Sequence, residues 1–253
     1  MKVGIIGAGN VATILGRLIK RQQHEVVQVM SRQIQAAQLL AGELGAQAAD
    51  WELGPDPSAD IYIIALSDGA LQEALQGVAF GDKPVFHTAG SLSKDVLKYM
   101  STQYGVLYPL QSLRKEMKVI PPIPFMIDAN NEKTLSTLQD FAQSLSDSVE
   151  VATDEDRIKL HIAAVLVSNF TNHLYTLAEA FCNKENLHFD LLKPLIMETA
   201  NRVQAHLPSA VQTGPAIRRD ILTIEKHLKI LLDHPALRTT YVRLTDSIMN
   251  PAE

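Results

Sequence analysis

Short apolar runs alternate with segments of helical spacing through the first half of the chain. Residues 3–6, 25–30, 60–66 and 84–87 are rich in valine and isoleucine, with the length and composition of buried strands. Between them, residues 11–21, 33–44, 69–77 and 93–103 carry apolar side chains at helical spacing. This alternation predicts a parallel sheet covered on both faces. Ser67-Asp68 and Ser91 stand where strand passes into helix, the place of N-caps. Beyond residue 104 the pattern changes. Strands at 105–110, 123–128 and 148–151 accompany a helix at 132–145, and Pro121, Pro122 and Pro124 suit the start of an edge strand. From residue 153 onward the pattern is helical only, with helices predicted at 157–184, 190–206, 215–232 and 235–249. The chain thus divides into an α/β domain, residues 1–152, and an all-helical domain, residues 153–253.

Composition changes this picture by exclusion. The 253 residues are 46% apolar and 20% charged, with a net charge of −5. Those values suit a globular protein with a sizeable core. They argue against a nucleic-acid partner, because duplex binding relies on clustered Lys and Arg. The one cysteine, Cys182, excludes an intrachain disulfide framework and reads as buried packing. No apolar run approaches the roughly 20 residues needed to span a bilayer, and no basic-then-apolar leader precedes the first strand. The expectation is a cytoplasmic protein without a membrane partner. No His, Asp or Glu set has close metal-ligand spacing, so no metal is expected.

The chemistry begins at Gly7-Ala8-Gly9-Asn10-Val11-Ala12, which follows a strand and opens a helix. That is the context of a dinucleotide fingerprint. The first glycine permits the tight turn, the second lets backbone approach a pyrophosphate, and a small third residue allows close helix–strand packing. The helix start then favours negative charge. The second strand ends at Met30-Ser31-Arg32 without an acid. A carboxylate there would accept the ribose hydroxyls and repel a 2′-phosphate. Ser31 can donate to that phosphate, and Arg32 can pair with it and stack on adenine. NADP is therefore expected ahead of NAD, the alternative being a surface arginine that opens the next helix. Leu66, Ser67 and Thr88, at later strand ends, complete the expected cofactor contacts.

Residues 159–181 form a mostly apolar helix broken by polar side chains. At about 100° per residue, His161, Ser168, Asn169, Asn172, Thr176 and His173 share an arc of about 140°, while Lys159 lies on another face. Buried amides and imidazoles need partners. A substrate or nicotinamide amide would supply them, and so would the same strip of a second copy. Leu160, Val167, Phe170, Leu174, Leu177 and Phe181 spread around the helix. A helix apolar on most sides is surrounded by protein, so a homodimer through the helical domain is expected. The strand ends facing the cleft offer His87, Thr88 and Ser91, then Tyr108, Gln111 and Ser112. Thr88–Ser91 reads equally as a substrate contact or a plain connection, and His87 as structural. In the run from Gln212 to Asp220, Thr213 reads as a cap with Pro215 in the first helical turn. Arg218 could clamp a carboxylate or phosphate, or pair with Asp220 or Glu225 on the surface. His173 and His227 receive no role.

The Gly-Ala-Gly-Asn start and Ala65-Leu66-Ser67-Asp68 resemble the NADP-binding domains of pyrroline-5-carboxylate reductase, ketopantoate reductase, prephenate dehydrogenase and the coenzyme F420-dependent NADP reductases. Over the whole chain, His87–Ser91, Tyr108–Ser112, His161–Ala164, Asn169–His173 and Gln212–Arg218 look like a narrower family. Its members are Rossmann-like oxidoreductases with a C-terminal domain of unknown function (DUF2520 type). The resemblance implies a Rossmann-type domain followed by a helical domain like the C-terminal one of 6-phosphogluconate dehydrogenase. It implies further that the first long helix after the Rossmann domain faces the nicotinamide. Ketopantoate-type members place a lysine and asparagines there, whereas this stretch offers His161 with Asn169 and Asn172. The expected function is hydride transfer between NADP and a small polar carbonyl or imine substrate in an interdomain cleft. His161 would move the proton, Asn169 and Asn172 would orient the substrate, and Ser91, Gln111, Ser112 and Arg218 would hold its polar end. A dinucleotide-binding sensor or scaffold without turnover is the alternative, drawn from the missing lysine.

Overall fold

The computed structural model describes residues 1–74 and 78–251. Eight strands form one sheet: β1 (Lys2–Ile6), β2 (Glu25–Met30), β3 (Gln47–Ala49), β4 (Ile61–Ile64), β5 (Val85–His87), β6 (Tyr104–Pro109), β7 (Phe125–Ala129) and β8 (Val149–Val151), in the order β3-β2-β1-β4-β5-β6-β7-β8. The strands from β3 to β6 are mutually parallel, β7 runs antiparallel to β6, and β8 is parallel to β7. The order reverses between β1 and β4, and ligands of open α/β sheets bind at the carboxyl ends of strands beside such a switch.

Helices α1 (Asn10–Arg21), α2 (Ile34–Leu44) and α4 (Glu132–Leu145) bury apolar faces on one side of the sheet, where Ile14, Leu15, Leu40, Leu44, Leu138 and Phe141 meet Val3, Ile5, Val29 and Ile127. Each such side chain contributes about 1.5–3 kcal/mol on leaving water. On the other face, Ile6, Met30, Tyr62, Ile64 and Val85 pack with Leu71 of α3 (Asp68–Ala74) and with Leu97. Local signals set the helix ends. Asn131 accepts the Thr134 amide at 2.9 Å to start α4, and Gly45, at φ +77°, closes α2. No helix among the described residues is long and apolar enough to cross a membrane.

The helical region follows as α5 (Asp154–Ala164), a π-helical segment (Val165–Phe170), α6 (Thr171–Lys184), α7 (Lys193–Ala205), α8 (Ile221–Ile230) and α9 (Pro235–Met249). The chain forms two compact units, Met1–Ser168 and Asn169–Glu253.

Several expected elements are corrected. The helix expected at 93–103 is one 3₁₀ turn, Lys94–Leu97, capped by Ser93 rather than Ser91. Beyond it the chain is drawn back to the segment before β5, with the Ser101 hydroxyl bonding the Lys83 carbonyl at 2.6 Å. The prolines at 121, 122 and 124 precede β7, which is an interior strand with β8 at the edge. Thr213 caps no helix: residues 215–219 form turns, Arg219 takes φ +53°, and Asp220 caps α8 by accepting the Thr223 amide at 3.1 Å. β3 was not expected. The helix expected at 69–77 is α3 up to Ala74, and residues 75–77 lie outside the described residues.

Candidate functional site

Gly7 ends β1 at φ +118°, and a Cβ there would lie 2.3 Å from the Ala65 carbonyl oxygen. Only glycine fits this turn. At Gly9 a Cβ would meet nothing within 4 Å, so open space faces the start of α1. Gly9 caps α1 without a side-chain bond, and the first intrahelical amide is that of Thr13, which donates to the Gly9 carbonyl at 2.9 Å. The amides of Asn10, Val11 and Ala12 are thereby left for an external acceptor. A diphosphate fits this cradle. The Asn10 side chain is already used: its Oδ1 accepts the Lys115 amide at 3.1 Å and ties the loop after β6 to the fingerprint. Ala8 is half-buried and Ala12 buried. At the end of β2, the Ser31 amide donates to Ala49 at 3.0 Å, and exposed Arg32 has no hydrogen bond or ion pair among the described residues. Leu66 and Ser67 follow β4. Thr88 turns its hydroxyl to the Ile64 carbonyl at 3.3 Å, joining β5 to β4.

A second cluster lies at the carboxyl ends of β5 and β6. The Tyr108 hydroxyl and His161 Nδ1 are 2.9 Å apart, their rings edge-on with centroids 5.9 Å apart. Gly90 makes this pair possible, since a Cβ there would stand 2.9 Å from both His161 Nδ1 and the Tyr108 ring. Burial, the largest influence, raises the Tyr108 phenol above its ordinary range; Arg157 pulls it down and Asp68 pushes it up. The Ser91 hydroxyl bonds the Asp68 carboxylate.

Beneath lies His87, fully buried. Its Nδ1 accepts the Ala89 amide at 3.2 Å, so the ring proton sits on Nε2 and points at the Ser93 carbonyl, also at 3.2 Å. Desolvation, reinforced by Arg157, drives its pKa down to about 4. Arg157 itself donates to the Leu92 carbonyl and to Asp154. Burial alone would raise the Asp154 carboxyl, but bonds from Ser93, Arg157 and the Lys94 amide hold it below its usual range.

Both ends of the Gln111 amide are bonded inside its own loop, to the Pro122 carbonyl at 3.2 Å and the Ser112 amide at 2.9 Å. Asn169 and Asn172 are exposed beyond Ser168. The π segment adds about one residue to a turn, so the polar strip counted at 100° per residue does not continue as one α-helical face. Arg218 is exposed in the turns before α8. His227 bonds the Tyr241 hydroxyl at 2.8 Å, and His234 bonds Glu185 at 2.8 Å. Sequence reasoning missed Asp68, Asp154 and Arg157 as site residues. An arginine in a first helical turn reads as surface, although its spacing of four from His161 was a usable signal.

Sheet order, glycine cradle and strand-end cluster define a Rossmann-type dinucleotide-binding protein. Residues 2–87 match the profile "NADP oxidoreductase coenzyme F420-dependent", and residues 123–248 match "Domain of unknown function (DUF2520)". A Bacteroides fragilis protein described as an NADP oxidoreductase is 41% identical, with 98% of this chain and 97% of that chain covered and a TM-score of 0.90. The chain belongs to this NADP-dependent oxidoreductase family. The fold alone is shared with two more distant structures. They are 1-pyrroline-5-carboxylate reductase from Streptococcus pyogenes (14% identity, 98% of each chain, TM-score 0.62) and a reductive aminase from Aspergillus terreus in complex with NADPH (15%, 99% and 90%, 0.62). No match was found among curated proteins.

Proposed function

We propose that the protein reduces a small polar carbonyl or imine compound, with His161 as the proton-transferring group. One observation carries this reading: a histidine held at 2.9 Å by a buried tyrosine hydroxyl, against a required glycine, at the ligand-binding rim of a Rossmann sheet. NADPH, when bound, supplies the hydride. The amides of Asn10, Val11 and Ala12 receive its diphosphate, and Ser31 and Arg32 receive the 2′-phosphate. Addition of hydride to the substrate carbon leaves charge on oxygen or nitrogen. The imidazole quenches it with its Nε2 proton while Nδ1 takes the proton of the Tyr108 hydroxyl 2.9 Å away, and solvent restores the phenol. Ser91 offers a hydroxyl on the same rim. The single buried thiol suits a reducing compartment such as the cytoplasm.

The test is nicotinamide consumption against a panel of oxo acids and cyclic imines, with cofactor affinity read by fluorescence. NADPH is expected to bind more tightly than NADH. Arg32→Ala removes a contact of roughly 1–3 kcal/mol, so its NADPH affinity should fall more than about fivefold. Equal affinities, or an Arg32→Ala variant unchanged toward NADPH, would overturn the cofactor assignment, and a panel without turnover would overturn the reaction.

The same reading includes a homodimer. Within Asn169–Glu253, Phe170, Leu191 and Leu222 are 56%, 77% and 73% exposed, while Cys182, Ala216, Ile224 and Leu231 are the buried apolar residues described there. Apolar surface on that scale marks an interface. Light scattering after size exclusion at micromolar concentration should give twice 27.8 kDa; a clean monomer would refute the dimer.

A further inference from the structure

The first turn of α5 is stapled to the segment after β5 by a buried ion pair. Arg157 is 1% exposed, and its Nη2 bonds both the Leu92 carbonyl and, at 2.7 Å, Asp154 Oδ1. Asp154 Oδ1 also accepts the Lys94 amide at 3.3 Å, and the Ser93 side chain bonds the same carboxylate. These bonds hold residues 92–94, directly after the Gly90–Ser91 turn, and Gly90 abuts Tyr108 and His161. Arg157 and His161 are four residues apart on α5 and so share a face.

The arginine does not behave as a simple tie. Guanidinium carries five donors, yet Nε and Nη1 are buried without a hydrogen-bond partner among the described residues. Its charge is paired with Asp154 through Nη2 alone, and the guanidinium also bears on Tyr108 of the tyrosine–histidine pair. The charged and titratable groups that bear on Tyr108 are Arg157 and His161 from α5, and Asp68 from the start of α3. A cation beside a phenol makes it the better hydrogen-bond donor.

We propose that Arg157 is a positioning residue for the reaction. Through the Leu92 carbonyl and Asp154 it holds the segment that follows the Gly90–Ser91 turn, and its charge makes Tyr108 the donor of the Tyr108–His161 pair. The neutral imidazole then keeps its proton on Nε2, which has no bond among the described residues and is the nitrogen left to face a ligand. This rests on the reading of His161 as the proton-transferring group.

The experiment is imidazole nitrogen NMR of the full chain at neutral pH, with the His161 signal assigned by its loss in His161→Gln. Wild type is expected to show one tautomer, protonated on Nε2. Arg157→Met should lose it to a mixture, and Arg157→Lys, which keeps the charge, should retain it. Thr153→Ala removes the hydroxyl that accepts the Asp156 amide at 3.2 Å and caps α5. It loosens the helix without touching the charge and should leave the tautomer alone. An unchanged tautomer in Arg157→Met, or an equal change in Thr153→Ala, overturns the proposal. Should Arg157→Met fail to fold, Arg157→Gln decides: it keeps a donor for the Leu92 carbonyl without the charge and should lose the single tautomer, and an unchanged tautomer overturns the proposal. Turnover of His161→Gln separately judges the reading beneath, so the two fail in different measurements.

Discussion

Replacing His161 with glutamine is expected to cut turnover by about 10²–10⁴-fold, the usual worth of a positioned proton donor. NADPH affinity should stay the same, because the ring belongs to α5 and the phosphate cradle to the start of α1. Glutamine keeps a side-chain acceptor for the Tyr108 hydroxyl, so the turn at Gly90 should hold. The loss would therefore report proton transfer rather than packing. Steady-state rates on whichever panel compound is turned over, with fluorescence titration of NADPH in parallel, provide the check. A rate within a few fold of wild type would remove His161 from the chemistry.

The protein is expected to lose about 3 kcal/mol of stability between pH 6.5 and pH 4 through His87 alone. In the unfolded chain imidazole takes its proton near pH 6.5, whereas the buried ring does so only at about 4. Within that window the unfolded state binds more protons, so stability falls as pH drops and levels off below it. Asp154 and Glu43, whose folded values are lowered, add their own losses further into acid. Urea midpoints at pH 7, 5.5 and 4.5 would show the slope, and His87→Gln should flatten it. An equally steep acid loss in that variant would assign the effect elsewhere.

What was legible in the sequence follows from which forces are local. β2, α4 and α9 fall at their expected bounds because apolar runs, the Asn131 cap and Pro235 lie within the segments themselves. The fingerprint was equally plain. β3 escaped because Gln-Ala-Ala carries no β-branched or aromatic residue, and its strand character comes from pairing with β2. The 93–103 helix was overruled by bonds to residues some twenty positions earlier, which no helical count could foresee. Of the candidate site, His161 and Ser91 were named, but their partners Tyr108 and Asp68 were given no chemistry. Arg157's burial was hidden for the same reason: its acceptor, the Leu92 carbonyl, stands 65 residues away.

Arg32 makes no hydrogen bond or ion pair among the described residues, whereas Asn10, at the start of α1, anchors the segment at Lys115. If Ser31 and Arg32 receive the 2′-phosphate as proposed, the preference between the two nicotinamide cofactors rests on side chains tied to the fold, among the described residues, by one hydrogen bond, from the Gln33 amide to the Ser31 hydroxyl at 3.3 Å. Mutational drift, or a designer, could move this scaffold from one cellular pool of reducing equivalents to the other by a step or two at residues 31 and 32. The same number of changes at residue 10 would first have to find the loop a new anchor.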